Sequence, residues 1–371
     1  MKVVVLTSSR ADYGIYRPLL LKMAADESID LGLIVFGTHL STFYGETIED
    51  IKSDGFPIVM EIESMILGDS PEAISTAMGT TLLKFASIWS QMAGDLDMVL
   101  ALGDRYEMFS AIASSIPFGI RIAHLHGGET SLGAIDNVFR HCLTLMAGVH
   151  FTATEHYKRK VASLIGTTKN VYCVGALSLD NLQDLSLMDV PSFLTTYGID
   201  LAKPTILSTF HPETIDPDKN TRHARIARNA LVDLSENYQI VLTMPNADTA
   251  GSTFRRLFMK LKKYPQIHVV ESFGALGYLS CMSHCSFLLG NTSSGLIEAP
   301  SLGKYAINIG DRQAGRDHSN NVIQVPFDLR KIKAAARKVI ELGPYSGINV
   351  YASPGRSTAN QIIAIIKNLV H

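Results

Sequence analysis

The sequence predicts an α/β protein built from two open, largely parallel sheets, and three observations predict this fold class. Short apolar runs recur along the whole chain, each followed by Gly, Ser, His or Asn and then by a longer segment with helical periodicity; repeated βα units have this pattern. The runs form two series with a polar stretch between them. The length of 371 residues, of which 46% are hydrophobic, is enough to fill the cores of two or three domains.

The apolar runs are interpreted as buried parallel strands, because a strand covered on both faces is apolar throughout. The first series comprises residues 2–6, 31–36, 98–102, 121–125, 149–152 and 170–174, and the second comprises residues 205–209, 239–243, 267–270, 286–289, 305–309 and 322–325. Residues 184–203 are polar and show no strand pattern, which indicates a link between two domains. Residues 357–370 predict a helix long enough to dock on either domain.

Charge and cysteine content exclude several classes of protein. With 33 Lys and Arg against 35 Asp and Glu, the net charge of −2 gives no bulk attraction for nucleic acid or an anionic membrane, so neither is an expected partner. The four cysteines lack the spacing of a disulfide framework or a zinc site. No apolar stretch approaches the roughly 18 residues of a membrane span, and Arg10 and Asp12 come too soon for an export leader. We therefore expect a cytoplasmic protein.

Polar side chains directly follow most of the predicted strands. Ligands of open parallel sheets bind beyond the carboxyl ends of the strands, so these residues are candidates for a site in a cleft between two domains. They lie in segments 8–12, 37–39, 103–105, 126–129, 210–212, 245–246, 290–295 and 310–312. His39, His126 and His211 fall directly at strand ends. Three other histidines are better explained as core or supporting residues: His124, His141 and His150.

The clearest local signal of a binding site is in segment 290–298, where a strand ends in Gly290, hydroxyl side chains follow and a helix begins. Backbone N–H groups at the start of that helix and the hydroxyls of Thr292 and Ser293 would receive a phosphate group. Glu298 lies one turn further and could bind ribose hydroxyls. The alternative is an ordinary Ser cap of a helix. The chain lacks G-x-G-x-x-G after its first strand and lacks G-x-x-x-x-G-K-[ST], which argues against dinucleotide and P-loop sites.

Three charged residues at the strand ends have two interpretations. Asp104, Arg105 and Arg312 are either members of a site or ordinary surface ion pairs. Their position beyond apolar runs favours the site, but the residue types alone leave both interpretations open.

Ten motifs occur in the order in which a known family has them, and they span nearly the whole chain. They are SRADYG at 9–14, THL at 38–40, LGDR at 102–105, HLHGGE at 124–129, GAID at 133–136, FRH at 139–141, HP at 211–212, PNAD at 245–248, GNTSSG at 290–295 and GDRQAGR at 310–316. Together they closely resemble the hydrolysing UDP-N-acetylglucosamine 2-epimerases of the sialic-acid and legionaminic-acid pathways.

The resemblance implies a glycosyltransferase-B-like fold of two Rossmann-like domains that face a cleft. Residues 1–185 would form the first domain and residues 186–354 the second, with residues 355–371 crossing back to the first. In the implied reaction UDP leaves C1 and a proton leaves C2 to give a 2-acetamidoglucal, and water then adds with inverted C2 configuration. The implied partner is a UDP-sugar, the implied assembly is a homodimer or homotetramer, and neither NAD nor an obligatory metal is expected.

Matched positions imply roles for individual residues. The implied UDP-binding residues are Arg10, Asn246, Thr292, Ser293, Glu298 and Arg312, to which we add His39 of motif THL and Ser294 of motif GNTSSG. Arg10 and the hydroxyl loop would face the diphosphate, and Glu298 would face the ribose. In the chemistry, Asp104 and Asp136 would be acid–base carboxylates, Arg105 would neutralise charge, and His211 would meet the sugar or the developing diphosphate.

The sequence departs from the family pattern at two positions. Several relatives carry a catalytic Glu where this chain has His126, and some have a Lys where it has Ile15. Either His126 inherits the acid–base role, since imidazole can transfer protons near neutral pH, or Glu129 shares it. These departures bear on the substrate, and a UDP-2,4-diacetamido-2,4,6-trideoxy sugar competes with UDP-N-acetylglucosamine.

Three alternative functions are open at this point. A glycosyltransferase of the same fold would use the same diphosphate loop but would need no base at C2, and the carboxylates of Asp104 and Asp136 argue against it. A non-hydrolysing epimerase would keep UDP attached to the sugar. A sugar-nucleotide binding protein would need no catalytic groups at all.

Overall fold

The computed structural model describes residues 1–44, 46–68, 70–245, 251–353 and 355–370. The chain forms two compact units. The first comprises Met1–Glu129, Asp136–Asn181 and Ser353–His371, and the second comprises Thr130–Ile135 and Leu182–Ala352. Within the described part of the chain, no helix is long and apolar enough to cross a membrane.

The six residues Thr130–Ile135 differ from the predicted division, which placed them in the first domain. They belong to the second unit because their backbone is hydrogen-bonded there. The N–H of Leu132 donates to the carbonyl of Ala314 at 3.1 Å, and the N–H of Thr214 donates to the carbonyl of Gly133 at 3.0 Å. The link between the units also begins slightly earlier than predicted, after Asn181.

The first unit contains a seven-stranded sheet in the order β3-β2-β1-β4-β5-β6-β7, and its neighbouring strands run parallel. Its strands are β1 (Lys2–Thr7), β2 (Asp30–Phe36), β3 (Ile58–Ile62), β4 (Met98–Leu102), β5 (Ile122–Leu125), β6 (Val149–Thr152) and β7 (Val171–Cys173). The strand order reverses direction between β1 and β4, and a parallel α/β sheet opens a ligand-binding crevice beyond the carboxyl ends of such a pair.

The second unit contains a six-stranded sheet in the order β10-β9-β8-β11-β12-β13, again with parallel neighbours. Its strands are β8 (Thr205–Thr209), β9 (Gln239–Thr243), β10 (Ile267–Val270), β11 (Phe287–Gly290), β12 (Ala306–Ile309) and β13 (Val322–Val325). Here the order reverses between β8 and β11, which places a second crevice beyond these two strands.

Helices connect most of the strands. They are α1 (Arg10–Ala24), α2 (Ile48–Ser53), α3 (Pro71–Met92), α4 (Tyr106–Ala113), α5 (Asp136–Met146), α6 (Glu155–Ile165), α7 (Asp180–Asp184), α8 (Val190–Tyr197), α9 (Asn220–Leu234), α10 (Gly251–Met259), α11 (Gly274–His284), α12 (Ser294–Ile297), α13 (Leu329–Leu342) and α14 (Thr358–Val370). The alternation of strand and helix is that of two Rossmann-like units.

The twelve predicted strands are confirmed, each within one residue at either end. The strand β3 was not predicted. Among the described strands it lies at the edge of its sheet, next to β2, and its burial alternates along Ile58–Ile62. Val59 is 43% exposed and Glu61 is charged, so no continuous apolar run marks this strand.

Each sheet buries both faces. In β1, Val3 and Val5 pack toward α1 and α14, whereas Val4 and Leu6 pack toward α3 and α4. In β8, Ile206 packs toward α9, α10 and α13, and Leu207 packs toward α8 and α11. Alternate side chains of one strand thus supply two cores, which is why the strands are apolar throughout.

The terminal helix α14 packs against the first unit, as the resemblance implied. Its residues Ile362 and Ile366 lie in the core beside α1. The buried carboxylate of Asp180 accepts hydrogen bonds from the backbone N–H groups of Thr358 and Ala359, at 3.0 and 2.8 Å. Because these N–H groups belong to the first turn of the helix, Asp180 fixes where α14 begins.

Two of the buried histidines in the first unit lead us to predict that acid lowers its stability. His124 and His150 pair on neighbouring strands, and burial lowers the pKa of His124 from 6.5 to about 3 and that of His150 to about 4. Below about pH 6.5 the unfolded chain binds protons that the folded chain does not, so acid favours unfolding. We expect each histidine to lower the free energy of unfolding by about 1.4 kcal/mol per pH unit between about pH 6 and pH 4.

Urea unfolding curves at several pH values measure this effect. The variant His150→Leu removes one titrating group, so its stability should fall less steeply with acid than that of the unmodified protein, and the two slopes should agree above pH 7. Identical slopes below pH 6 would contradict the burial argument.

Candidate functional site

Arg10 lies at the first position of α1, directly beyond β1. Its position is set by Asp12, whose buried carboxylate accepts hydrogen bonds from the backbone N–H groups of Ser8 and Ser9 and from the hydroxyl of Thr7. Ser9 caps the helix, and its hydroxyl accepts a hydrogen bond from the N–H of Asp12. The tight turn from strand to helix therefore leaves Arg10 at the crevice edge, where its side chain is partly exposed.

His39 is fully buried behind this turn. Its Nε2 lies 2.8 Å from the hydroxyl of Thr7, its Nδ1 lies 2.8 Å from the hydroxyl of Thr47, and its ring is 3.8 Å from the carboxylate of Asp12. Burial alone raises the pKa of Asp12, but the hydrogen bonds from His39, Thr7 and Ser8 outweigh burial and hold that pKa below its ordinary value. In this arrangement both ring nitrogens of His39 face protein hydroxyls.

Asp104 and Arg105 lie directly beyond β4, the strand beside β1. Arg105 is the residue before α4, and its guanidinium forms two hydrogen bonds to the carboxylate of Glu107, at 3.1 and 2.8 Å. Glu107 is almost completely buried. The alternative of an ordinary surface ion pair is wrong for Arg105, because its partner lies inside the protein and its own side chain is only 15% exposed.

His126 and Glu129 form a pair beyond β5. The Nδ1 of His126 lies 2.6 Å from a carboxylate oxygen of Glu129, and Glu129 is 1% exposed. His126 has a φ of +63°, a backbone conformation that is uncommon outside glycine and is found at functional sites. A buried carboxylate on one ring nitrogen fixes the orientation of the imidazole, as in Asp–His pairs of hydrolases.

Arg140, which was not among the predicted site residues, connects these two groups. Its buried guanidinium is bonded to the carboxylate of Asp104, donates to the carbonyl of His126 at 2.7 Å and lies 3.9 Å from the carboxylate of Glu129. One cation thus faces two carboxylates in a place with little water. Arg140 lies within motif FRH, but 36 residues separate it from Asp104, so sequence spacing could not show the pairing.

Asp136 begins α5, the helix that carries Arg140 one turn later. Asp136 is partly exposed, whereas Arg140 is 2% exposed. Residues four apart share a helix face. The first unit therefore brings together Asp104, His126 and Glu129 around Arg140, with Asp136 on the same face of α5 as that arginine.

His211 follows β8 in the second unit, and Asn291 follows the neighbouring strand β11. The backbone N–H of His211 donates to Oδ1 of Asn291 at 2.7 Å, and Nδ2 of Asn291 donates to the carbonyl of His211 at 2.9 Å. Between them, Gly290 has a φ of +151°, and a Cβ there would lie 1.9 Å from the carbonyl oxygen of Thr209. Only glycine allows this close approach of the two strand ends.

The hydroxyl loop continues from Asn291 into α12. Thr292, Ser293 and Ser294 are partly exposed. Ser293 is the residue before α12, and within the described chain its hydroxyl makes no capping hydrogen bond. The helix has four residues.

Glu298 lies at the end of α12 and is 8% exposed. Tyr278 of α11 is close to the same loop: burial raises its pKa to about 12, while hydrogen bonds to the side chains of Thr209 and Ser294 lower it. The negative charge of Glu298 also raises the pKa of Tyr278. A neutral phenol therefore stands beside the hydroxyl loop, although no motif pointed to it.

Arg312 lies beyond β12 and donates to the carbonyl of Pro212 at 2.7 Å. The buried carboxylate of Glu213 accepts a hydrogen bond from the backbone N–H of Asp311 at 2.7 Å. Gln313 donates through Nε2 to the carbonyl of Asn291 at 2.8 Å. The loops beyond β8, β11 and β12 are therefore tied to one another in pairs, and the second unit presents them as one hydrogen-bonded group.

Asn246, the remaining predicted UDP-binding residue, lies outside the described residues. Among the described residues, no group of three or more His, Cys, Asp or Glu side chains could hold a metal ion. The structure thus places six predicted site residues beyond strands of the second sheet or in the loops that follow, and the others at strand ends of the first sheet or at the start of α5.

Comparison with known proteins places this arrangement in a family. The family model for UDP-N-acetylglucosamine 2-epimerase matches residues 21–367. The chain is 32% identical over 352 residues to UDP-N,N′-diacetylbacillosamine 2-epimerase (hydrolyzing) of Legionella pneumophila, covering 94% of this chain and 92% of that protein. It is 34% identical over 331 residues to polysialic acid biosynthesis protein P7 of Escherichia coli, covering 89% and 84%.

Solved structures show the same fold. The UDP-GlcNAc 2-epimerase of Neisseria meningitidis, solved with UDP-GlcNAc, superposes with a TM-score of 0.79 at 17% identity and full coverage of both chains. The enzyme of Methanocaldococcus jannaschii, solved with UDP-GlcNAc and UDP, gives a TM-score of 0.78 at 17% identity, covering 99% of this chain and 100% of that one. At such identities the likeness concerns the glycosyltransferase-B-like fold alone. The family match covers most of the sequence, and the chain therefore belongs to the UDP-N-acetylglucosamine 2-epimerase family.

Proposed function

We propose that this protein is a hydrolysing 2-epimerase, which converts a UDP-2-acetamido sugar to UDP and the free manno-configured sugar. The observation that carries the proposal is the group formed by Asp104, His126, Glu129 and Arg140. Proton removal from a poorly acidic carbon needs a held base and a held acid, and this group supplies both kinds of side chain. Two relatives of at least 30% identity that are named hydrolysing 2-epimerases support it.

In the proposed reaction, a base takes the proton from C2 while the C1–O bond to UDP breaks, which gives the 2-acetamidoglucal and UDP. Water then supplies hydroxide to C1 and a proton returns to C2 from the opposite face. The carbon skeleton undergoes no net oxidation, so the chemistry needs no redox cofactor. Because C2 inverts, two different groups must handle the two protons; Asp104, Asp136 and His126 are the candidates.

We propose separate duties within that group. The guanidinium of Arg140 holds the carboxylate of Asp104 by a direct hydrogen bond, which suits this carboxylate to act as a positioned base. Glu129 is buried on the far nitrogen of His126, so it orients that ring instead of touching the substrate itself. Arg105 is held by its ion pair with Glu107. We propose that its guanidinium neutralises negative charge on the leaving diphosphate.

We propose that the second unit holds UDP. The hydroxyls of Thr292 and Ser293 and the guanidinium of Arg312 suit a diphosphate, which is best bound by donors and cations. Glu298 suits the ribose hydroxyls. The remaining members of this proposed set are Ser294, His211 for the sugar or developing diphosphate, Asn246 from its motif, and Arg10 of the first unit as a further diphosphate cation.

His39 takes a different place in this proposal from the one expected. Its ring is fully buried between Thr7 and Thr47, so we propose that it supports Asp12 and the turn before Arg10 and does not contact UDP. Its position directly after a strand predicted a binding residue instead.

Two sugars fit the proposed chemistry. UDP-2,4-diacetamido-2,4,6-trideoxyglucose, also called UDP-N,N′-diacetylbacillosamine, is the sugar nucleotide in the names of two relatives, and we place it first. UDP-N-acetylglucosamine is the second. We also propose a homodimer or homotetramer, since exposed apolar side chains such as Leu83 and Val138, 73% and 63% exposed, suit an interface.

The test follows the reaction by NMR of two nuclei, phosphorus and hydrogen. The protein is incubated with each UDP-sugar in deuterated water, and phosphorus and proton NMR spectra are recorded. We expect free UDP together with a manno-configured sugar that carries deuterium at C2. UDP retained on an epimerised sugar would instead indicate the non-hydrolysing reaction. Binding of both sugars without any turnover would overturn the proposal.

A further inference from the structure

We infer that Asn291 is a positioning residue for His211, an inference that rests on the proposed function for its catalytic consequence. Asn291 directly precedes the hydroxyl loop and is completely buried. Its side-chain amide meets the backbone of His211 with one donated and one accepted hydrogen bond, at 2.9 and 2.7 Å. The side chain of Asn291 thereby makes the two backbone hydrogen bonds that a neighbouring strand would otherwise make with His211.

The pairing is tight because Asn291 itself is held on every side. Its backbone N–H donates to the carbonyl of Thr209 at 3.1 Å, and its carbonyl accepts from Nε2 of Gln313 at 2.8 Å. An amide fixed at its backbone and at both side-chain atoms has no freedom to rotate. The peptide groups of His211 are therefore fixed too, although they lie beyond the end of β8, where the sheet no longer pairs them.

The chemistry of the side chain explains why asparagine is present. A primary amide offers one acceptor and two donor hydrogens, which matches the N–H and the carbonyl of a peptide. An aspartate at position 291 would accept from the N–H of His211 but would face its carbonyl with a second acceptor. An alanine would leave both peptide groups without these bonds, and each buried polar group left unsatisfied costs about 1–3 kcal/mol.

A second asparagine pairs in the same way with the backbone of Glu213, which lies two residues after His211 in the chain. Asn220 accepts from the N–H of Glu213 at 3.0 Å and donates to its carbonyl at 2.8 Å. Glu213 in turn holds the N–H of Asp311. Asn291 and Asn220 thus fix the backbone on the two sides of Pro212. Asn291 fixes the side that carries the imidazole of His211.

A double-mutant cycle tests whether Asn291 acts through His211. We expect Asn291→Ala to lower kcat by about 10- to 100-fold, since a small misplacement of a reacting group costs on this scale. In the background of His211→Ala, the same change should alter the single-turnover rate by less than about 3-fold, because the group that it positions is already gone. Equal factors in both backgrounds would overturn the inference.

The matched control is Gln239→Ala, which removes a buried amide at the opposite end of the same sheet. Nε2 of Gln239 donates to the carbonyl of Asp200 at 3.0 Å and to the hydroxyl of Thr205 at 2.9 Å. Its thermal midpoint should fall about as much as that of Asn291→Ala, while its kcat stays near that of the unmodified protein. A kcat of Asn291→Ala equal to that of the control would overturn the inference as well.

A spectroscopic measurement separates this inference from the proposed function. Histidine labelled with ¹⁵N gives ring resonances in two-dimensional spectra, and His211→Ala identifies the signal of His211. Asn291→Ala should shift that signal and Gln239→Ala should not, whether or not the protein turns over any UDP-sugar. An unmoved His211 signal would overturn the positioning role. Absence of turnover by the unmodified protein, with the signal shifted, would instead remove the proposed function and leave the positioning role standing.

Discussion

Asp104→Asn is expected to slow both deuterium incorporation at C2 and release of UDP by about 1,000-fold, within the range that proton transfer by a positioned group contributes. The amide cannot take a proton from carbon, and it no longer neutralises the buried guanidinium of Arg140. Binding of UDP should persist, because the proposed UDP residues other than Arg10 lie in the second unit. Exchange at C2 is followed by proton NMR in deuterated water, and UDP affinity by calorimetry.

Asp54→Asn is the matched control for this variant. Asp54 also pairs with an arginine, Arg17, through two hydrogen bonds of 2.8 and 2.9 Å, but it follows α2 and precedes β3, away from the carboxyl ends of the strands. Its loss should cost some stability and leave kcat within about 2-fold, as expected of a change outside the reacting group. Normal turnover by Asp104→Asn would remove Asp104 from the mechanism.

The variants His126→Ala and Glu129→Gln should have the next largest effects. Loss of the imidazole removes a proton-transfer group, and we expect kcat to fall by about 100- to 10,000-fold. Glu129→Gln keeps a side chain of similar size beside Nδ1 but replaces the carboxylate acceptor with an amide, which holds the ring less firmly. A fall of about 100-fold or more is expected, since neutralising the carboxylate of such a pair has a large cost.

Rates for these variants come from phosphorus NMR of released UDP. The control His156→Ala removes an exposed histidine of α6 and should leave the rate unchanged. If Glu129 acts only through His126, adding Glu129→Gln to His126→Ala should change little. Full multiplication of the two effects would show that Glu129 has a separate role, and near-normal turnover of His126→Ala would remove the imidazole from acid–base chemistry.

Most of the fold could be predicted because its strands are buried on both faces. Such strands leave continuous apolar runs, and twelve of these runs were visible in the sequence. The edge strand β3 was missed for the opposite reason, since Val59 and Glu61 face outward. Residues Thr130–Ile135 were assigned to the first domain because they lie between two of its elements in sequence, whereas hydrogen bonds to Thr214 and Ala314 hold them in the second unit.

Site residues could be predicted from the sequence where they directly follow a predicted strand. Asp104, His126 and His211 follow strands, and strand ends can be read from apolar runs. Arg140, Glu107 and Asn291 act through partners, and their duties could not be predicted from strand position. Arg140 lies inside a helix, Glu107 is a buried carboxylate in an apolar helix, and Asn291 uses its side chain on a peptide 80 residues away in sequence. For His39, strand position suggested a ligand contact, while its burial indicates support.

The division of the first unit into three chain segments has a consequence for recombination between relatives. A chimera joined once, near residue 185, would take the first sheet from one parent and α14 from the other. The apolar face of α14 around Ile362 and Ile366 would then pack against a foreign α1, and Asp180 would meet a foreign helix start. Exchange of one whole unit therefore requires four junctions, after residues 129, 135, 181 and 352.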